Sequence, residues 1–293
     1  MPSSLMSARK NSPASLIREG ADRLQRAGLP HARQEAEWLL SHLAGARPLE
    51  VYLGDADVPP ATIERFRAQL EARASGAPLQ YLLGEAEFLG LRLAVGPGVF
   101  IPRPETEAVI EQAIEALRAL ERACERPLRL LDLGTGSGCI AAAIARALPT
   151  CVVVGVEVSY DALQAARRNI RHLGLKPRVW FVQGSWAEAI RAPVDGIVAN
   201  PPYLPSAQVD QLPPDVRQEP RGSLDGGPDG FCHLRVIMTQ AERLLTPGGI
   251  LVLECGEEQV DALARHAAAL GWVTTVRPLH DLAGRPRGIL VTR

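Results

Sequence analysis

An apolar run, Leu130-Leu131-Asp132-Leu133, ends directly on the glycine loop Gly134-Thr135-Gly136-Ser137-Gly138. Residues 139–148 follow, rich in Ala and Ile, with small residues at helical spacing. A buried strand, a glycine loop and a helix in succession make the first βα unit of a nucleotide-type fold. Glycines let the backbone approach a ligand with no Cβ in the way. Residues 151–156 read as the second strand, which ends in Glu157. An acid there is placed to accept hydrogen bonds from both hydroxyls of a ribose. From Leu128 onward strands and helices alternate. The fold class is therefore α/β, with a doubly wound, mostly parallel sheet.

A second signature restricts the chemistry. Gly196-Ile197-Val198-Ala199 reads as a buried strand, and Asn200-Pro201-Pro202-Tyr203 follows it. Two prolines cannot continue a sheet ladder, so the chain turns sharply after Asn200. The turn leaves a carboxamide, two proline carbonyls and an aromatic ring at the carboxyl end of a strand, where open α/β sheets bind ligands. An Asn side chain offers both an acceptor and donors, and can hold another planar amide or amino group. The glycine loop leaves the cofactor open. Read from Gly134, the dinucleotide pattern G-x-G-x-x-G meets Cys139 where its third glycine belongs. Read from Gly136, it runs Gly136-x-Gly138-x-x-Ala141, which a nicotinamide or flavin enzyme also tolerates. The Asn-Pro-Pro-Tyr turn has no task in hydride transfer but suits methyl transfer to nitrogen.

Upstream of the sheet region the periodicity is helical. The first ten or so residues read as disordered. Ser12 is placed to cap a helix with Pro13 in its first turn, which Gly28 and Pro30 stop. A second helix carries Ala32, Ala36, Leu39, Leu40 and Leu43 and ends near Gly45; a third carries Ile63, Phe66 and Leu70 and ends near Gly76. Amphipathic helices of this kind suit a small bundle. Residues 87–101 change period: Leu91, Leu93 and Val95 alternate, and Gly96-Pro97-Gly98 supplies a turn before Val99-Phe100-Ile101. This predicts a β-hairpin between the two regions. Pro104 then opens a helix with Val109, Ile110, Ala113, Ile114 and Leu117 on its apolar side. Residues 204–230, rich in Pro, Gly, Asp and Gln, read as a substrate-facing loop. Residues 273–276 and 288–292 predict a closing antiparallel hairpin.

Charge and cysteine content exclude several classes. The 293 residues carry a formal net charge of −1, so no general electrostatic attraction to nucleic acid is expected. The five cysteines form no C-x-x-C pair, which argues against zinc or a disulfide framework. No apolar stretch reaches the ~20 residues of a membrane span and no leader is evident, so a cytoplasmic protein is expected.

These segments together resemble the class I S-adenosylmethionine-dependent methyltransferases. More narrowly, they are similar to the peptide chain release factor glutamine N5-methyltransferases of the HemK/PrmC type. The resemblance is carried by Pro78-Leu79-Gln80-Tyr81-Leu82-Leu83-Gly84, by Phe100-Ile101-Pro102-Arg103-Pro104-Glu105-Thr106-Glu107, by the glycine loop and by Asn-Pro-Pro-Tyr. It continues through Glu219-Pro220, Leu224-Asp225-Gly226-Gly227, Asp229-Gly230 and residues 281–287. The resemblance implies a seven-stranded sheet, with a helical domain over residues 1–85 that recognises release factor. It also implies a hairpin linker over 86–103 and a methyltransferase domain over 104–293. Gly134, Thr135, Gly136, Ser137, Gly138, Glu157, Trp186, Phe100 and Asn200 would hold S-adenosylmethionine, with no metal. Asn200 Oδ1 and the Pro201 carbonyl would accept the two N–H protons of a glutamine side chain, and Pro202 and Tyr203 would wall its flat amide. Ser185 stands where many class I methyltransferases have an acid, and Arg103 and Glu107 either join the site or pair on one helix turn. The implied partner is a class I release factor, met by a monomer without nucleic acid or membrane. An adenine-N6 DNA or RNA methyltransferase, a noncatalytic translation-associated binding protein and a nicotinamide oxidoreductase are the competing readings.

Overall fold

A computed structural model describes residues 11–53 and 57–293. The expected disorder of the first ten residues therefore lies outside the described residues. The chain divides into two compact units, one running to Gly84 and including Pro214–Gln218, the other comprising Glu85–Pro213 and Glu219–Arg293.

The first unit is helical. It contains α1 (Pro13–Arg26), α2 (Ala32–Ala44), α3 (Pro48–Leu53), α4 (Pro60–Ala74) and α5 (Leu79–Leu83). Ser12 caps α1, its hydroxyl accepting from the Ser15 N–H at 3.3 Å. Leu16, Leu24, Leu39, Leu40 and Phe66 are fully buried against one another. Arg73 is buried beside Glu35, its guanidinium donating to both carboxylate oxygens at 2.6 and 3.1 Å, and it reaches Asp215 at 3.2 Å. The bundle expected from the apolar stripes is present. The short helices α3 and α5 were not anticipated, because one or two turns carry too little period to read.

The second unit opens with a two-stranded antiparallel hairpin, β1 (Glu85–Phe88) and β2 (Leu91–Ala94). The turn expected at Gly96-Pro97-Gly98 is present, with the Val99 N–H donating to the Gly96 carbonyl at 3.0 Å, but it joins no strands and the hairpin lies earlier. The chain turns at Leu89-Gly90, both with positive φ (48° and 69°), the geometry a two-residue hairpin loop demands. Residues 99–101 form no strand; the Ile101 N–H donates instead to the Glu219 carboxylate at 2.9 Å.

After α6 (Pro104–Ala123) the chain alternates: β3 (Arg129–Leu133), α7 (Cys139–Ala147), β4 (Val152–Glu157), α8 (Tyr160–His172), β5 (Val179–Gln183), β6 (Val194–Ala199). Then come α9 (Ser206–Val209), α10 (Cys232–Leu244), β7 (Leu245–Glu254), α11 (Val260–Ala268), β8 (Thr275–His280) and β9 (Pro286–Thr292). The seven-stranded sheet has the order β5-β4-β3-β6-β7-β9-β8. β9 alone pairs antiparallel to its neighbours, β7 and β8; all other pairs are parallel. Pro278 sits in β8, an edge strand, where a missing N–H costs the ladder nothing. Successive strand residues face opposite layers. Leu130, Val198 and Val252 pack on α6 and α7, while Leu131, Ile197 and Leu251 pack on α10 and α11.

Candidate active site

The order of chain travel reverses across β3: β4 and β5 extend to one side, β6 and β7 to the other. Ligands bind outside the strand ends at such a switch point. Register does the rest. Leu133 pairs with Val156 of β4 and with Ala199 of β6, so Gly134, Glu157 and Asn200 leave the sheet side by side.

The three strand ends open into a cavity of about 400 Å³, within the usual range for small-molecule sites. Phe100, Gly134, Thr135, Gly136, Ser137, Glu157, Trp186, Asn200 and Pro202 line it, as do Thr106, Ser223 and His233. The Glu157 carboxylate is held by backbone donors, Gly136 N–H to Oε2 and Ser159 N–H to Oε1, both at 2.9 Å. That fixes its oxygens at the loop edge while leaving lone pairs open for hydroxyl donors. The Trp186 ring closes over Gly134, where a Cβ would sit 3.2 Å from it, and packs near His233 with ring centroids 5.2 Å apart. Gly134 therefore serves a close approach as well as a positive φ of 73°.

Beneath the loop lies Asp132, fully buried. One of its carboxylate oxygens accepts from the Thr135 hydroxyl at 2.5 Å and the Ala141 N–H at 3.0 Å. Burial pushes its carboxyl up to about 7, against the pull of those two donors. It acts as the brace that joins loop to helix.

On the other side of the cavity Asn200 donates its Nδ2 to the Thr106 hydroxyl at 3.1 Å, and Thr106 donates to Glu254 Oε1 at 3.1 Å. Glu254 closes β7 and is buried; burial raises its carboxyl to about 8. Among the described residues, no donor reaches the Pro201 carbonyl.

Not every expected residue meets the cavity. Gly138, Pro201 and Tyr203 are absent from its lining. A Cβ on Gly138 would press on Ala166 at 3.2 Å, so this glycine serves the packing of α7 on α8. The Tyr203 ring packs with the α10–α11 layer of the core, burial raising its phenol, and its carbonyl accepts from Gln259 at 3.0 Å. Arg103 and Glu107 do not pair with each other. Arg103 stacks on Phe100, 4.9 Å from guanidinium carbon to ring centroid, and bonds Glu219. Glu107 accepts the Leu89 N–H at 2.9 Å and so caps the hairpin turn.

A family model described as the PrmC N-terminal domain matches residues 15–84, and one described as a methyltransferase domain matches residues 125–275. The release factor glutamine methyltransferase of Moorella thermoacetica is 42% identical over 277 residues, covering 94% of this chain and 96% of that protein. The chain belongs to the release factor glutamine methyltransferase family. The family member from Gloeobacter violaceus is 41% identical over 94% of this chain and 98% of its own length. Among solved structures, the hMettl16 catalytic domain in complex with MAT2A 3'UTR hairpin 6 superposes with a TM-score of 0.55 at 14% identity, over 80% of this chain and 81% of that one. At that identity the likeness is one of fold.

Within this family member, sequence reasoning passed over Thr106, His233 and Glu254 as site residues. Glu254 carried a signal: like Glu157, it is an acid that closes an apolar strand run, Ile250-Leu251-Val252-Leu253.

Proposed function

We propose that this protein transfers the methyl group of S-adenosylmethionine to the side-chain amide nitrogen (N5) of the glutamine in the Gly-Gly-Gln loop of class I peptide chain release factors. The observation that carries this reading is the meeting of the glycine loop, Glu157 and the Asn-Pro-Pro-Tyr turn around one cavity in a chain of this family. The residues present suit the cofactor. Gly134 and Gly136, both at positive φ, offer a backbone cradle that a Cβ would narrow, and Glu157 is pinned where ribose hydroxyls can donate to it. Trp186 and Phe100 supply apolar walls.

When bound, S-adenosylmethionine supplies an electrophilic methyl on a sulfonium. The protein's own task is to position the acceptor nitrogen and exclude water. A carboxamide nitrogen is a poor nucleophile because its lone pair is conjugated with the carbonyl. Asn200 Oδ1 and the Pro201 carbonyl, accepting both N–H protons, would turn that lone pair toward the methyl and favour loss of conjugation. Pro202 provides a flat apolar wall. No strong base is required, because the nitrogen becomes far more acidic once alkylated. In the same reading the protein works as a cytoplasmic monomer and touches neither nucleic acid nor membrane. The net charge of −1 supports the absence of nucleic acid from this reading, and no described helix is long and apolar enough to cross a membrane.

The test is methyl transfer from labelled cofactor to purified release factor, with the label located by mass spectrometry. Wild type should place one methyl on the loop glutamine. Asn200→Ala should lose on the order of a hundredfold in kcat at saturating cofactor. Near-normal turnover by folded Asn200→Ala would reject the role of that side chain.

A further inference from the structure

Asn200 is only useful as an acceptor if its carboxamide is the right way round, and an Asn χ2 torsion is broad and roughly two-fold. Something must choose between the two flips. The β6–β7 register pairs Ala199 with Leu253, so Asn200 and Glu254 emerge as neighbours at the ends of parallel strands. Thr106, in the first turn of α6, lies over both. It is 2% exposed, and Glu254 is 3% exposed.

We propose that Thr106 and Glu254 form a buried relay that holds the Asn200 carboxamide with its oxygen toward the substrate, which makes both of them positioning residues for methyl transfer. The proposal rests on the function above, in that Asn200 is taken to receive the substrate amide. The proton count supports it. A threonine hydroxyl has one proton and two lone pairs. Thr106 donates its proton to Glu254 Oε1 at 3.1 Å, so it meets Asn200 as an acceptor, and Asn200 Nδ2 donates to it at 3.1 Å. A flipped Asn200 would bring its oxygen against a hydroxyl that has already donated. It would also present its own N–H donors to those of the substrate.

Glu254 bonds Thr106 through Oε1 and also interacts directly with the Asn200 side chain, while its Oε2 is buried without a partner. A proton on Oε2 leaves Oε1 as the acceptor the relay needs. The carboxyl raised to about 8 agrees with that arrangement. Perturbed carboxyl groups in clefts are frequent at functional sites, and this one is reached through Thr106 rather than by touching the substrate.

Two measurements on the full chain test the relay. The first needs no substrate: exchange of the Asn200 side-chain NH2 protons, followed by nitrogen-15 NMR. Exchange should be slow in wild type and in Thr106→Ser, and faster by about tenfold or more in Thr106→Val, which loses the hydrogen bond that protects those protons. The second is kinetic. Thr106→Val should lower kcat on release factor by about tenfold to a hundredfold with unchanged S-adenosylmethionine affinity, and Thr106→Ser should restore it. Adding Thr106→Val to Asn200→Ala should cost nothing further, since both changes remove one interaction. Wild-type exchange rates in Thr106→Val, or losses that multiply in the double variant, would overturn the relay. A wild-type enzyme that ignores release factor would defeat the proposed function instead, while the exchange experiment still decides the relay.

Discussion

At the residue scale two carboxyl groups near the cavity have contrasting surroundings. Glu157 is half-buried and held by backbone donors at the cavity edge. Glu254 is buried with one oxygen unpaired. Glu157 stands far from the reacting methyl in the proposed reading, so its contact is uniform binding energy. Glu157→Ala should therefore weaken cofactor affinity by calorimetry while kcat at saturating cofactor changes little; unchanged affinity would rule out the ribose contact. Glu254 gives a pH signature. Burial, opposed by the Thr106 hydrogen bond, raises its carboxyl from 4.5 to about 8, with Glu105 raising it further and Arg287 and Asn200 lowering it. The folded state thus holds a proton that the unfolded chain releases. That contribution to stability is fully present below about pH 4.5 and is lost as pH rises through about 8. Glu254→Gln, which cannot titrate, should lose less stability than wild type between about pH 4 and 9 in denaturant melts at each pH, the window spanning those two values. Parallel profiles for the two proteins would contradict a neutral Glu254.

At the element scale, the loop that returns to the site depends on small residues, Gly226 among them. Leu204 donates to the Leu224 carbonyl at 3.1 Å and Gly226 donates to the Leu204 carbonyl at 2.8 Å, which ties residues 224–226 to the chain just after Tyr203. A Cβ on Gly226 would lie 2.7 Å from Tyr203 Cα and 2.8 Å from the Gly230 oxygen, both backbone atoms with nowhere to move. Gly226→Ala should cost about 1–3 kcal/mol by overpacking and lower kcat with it, read as a drop in unfolding midpoint and turnover together. Wild-type values of both would show the tie to be dispensable. These elements also mark how far a sequence can be read. The β3–loop–α7–β4 unit and the strand before Asn200 were legible because each is local, and parallel register alone then brings their ends together. The first hairpin was misplaced because Gly96-Pro97-Gly98 has the chemistry of a turn, whereas the true turn sets Leu89 at a φ of 48° that leucine rarely adopts. Thr106 and Glu254 were missed because 148 residues separate them, and no local pattern joins a helix start to a strand end so far away.

At the scale of the whole molecule, the proposed chemistry belongs to the sheet unit, where the glycine loop, Glu157 and Asn200 line one cavity. A folded protein substrate needs contacts far from its one reacting side chain, and we assign that docking role to the helices. Arg73 tests the division. Its partner Glu35 is 6% exposed, so Arg73→Met leaves a buried carboxylate without its cation, a loss of about 3–5 kcal/mol. That variant should unfold its helical unit first, keep wild-type S-adenosylmethionine affinity, and methylate intact release factor poorly. Undiminished methylation after loss of the helical unit would give the helices another task. The central claim, transfer to a glutamine amide, is tested most directly by competition in a single reaction. Wild-type protein is incubated with methyl-labelled S-adenosylmethionine and equal amounts of class I release factor, DNA and RNA, and the label is then located by mass spectrometry. The account predicts label on the side-chain nitrogen of the Gly-Gly-Gln glutamine and none on nucleic acid. Label on an adenine amino group, or on no substrate at all, would contradict it.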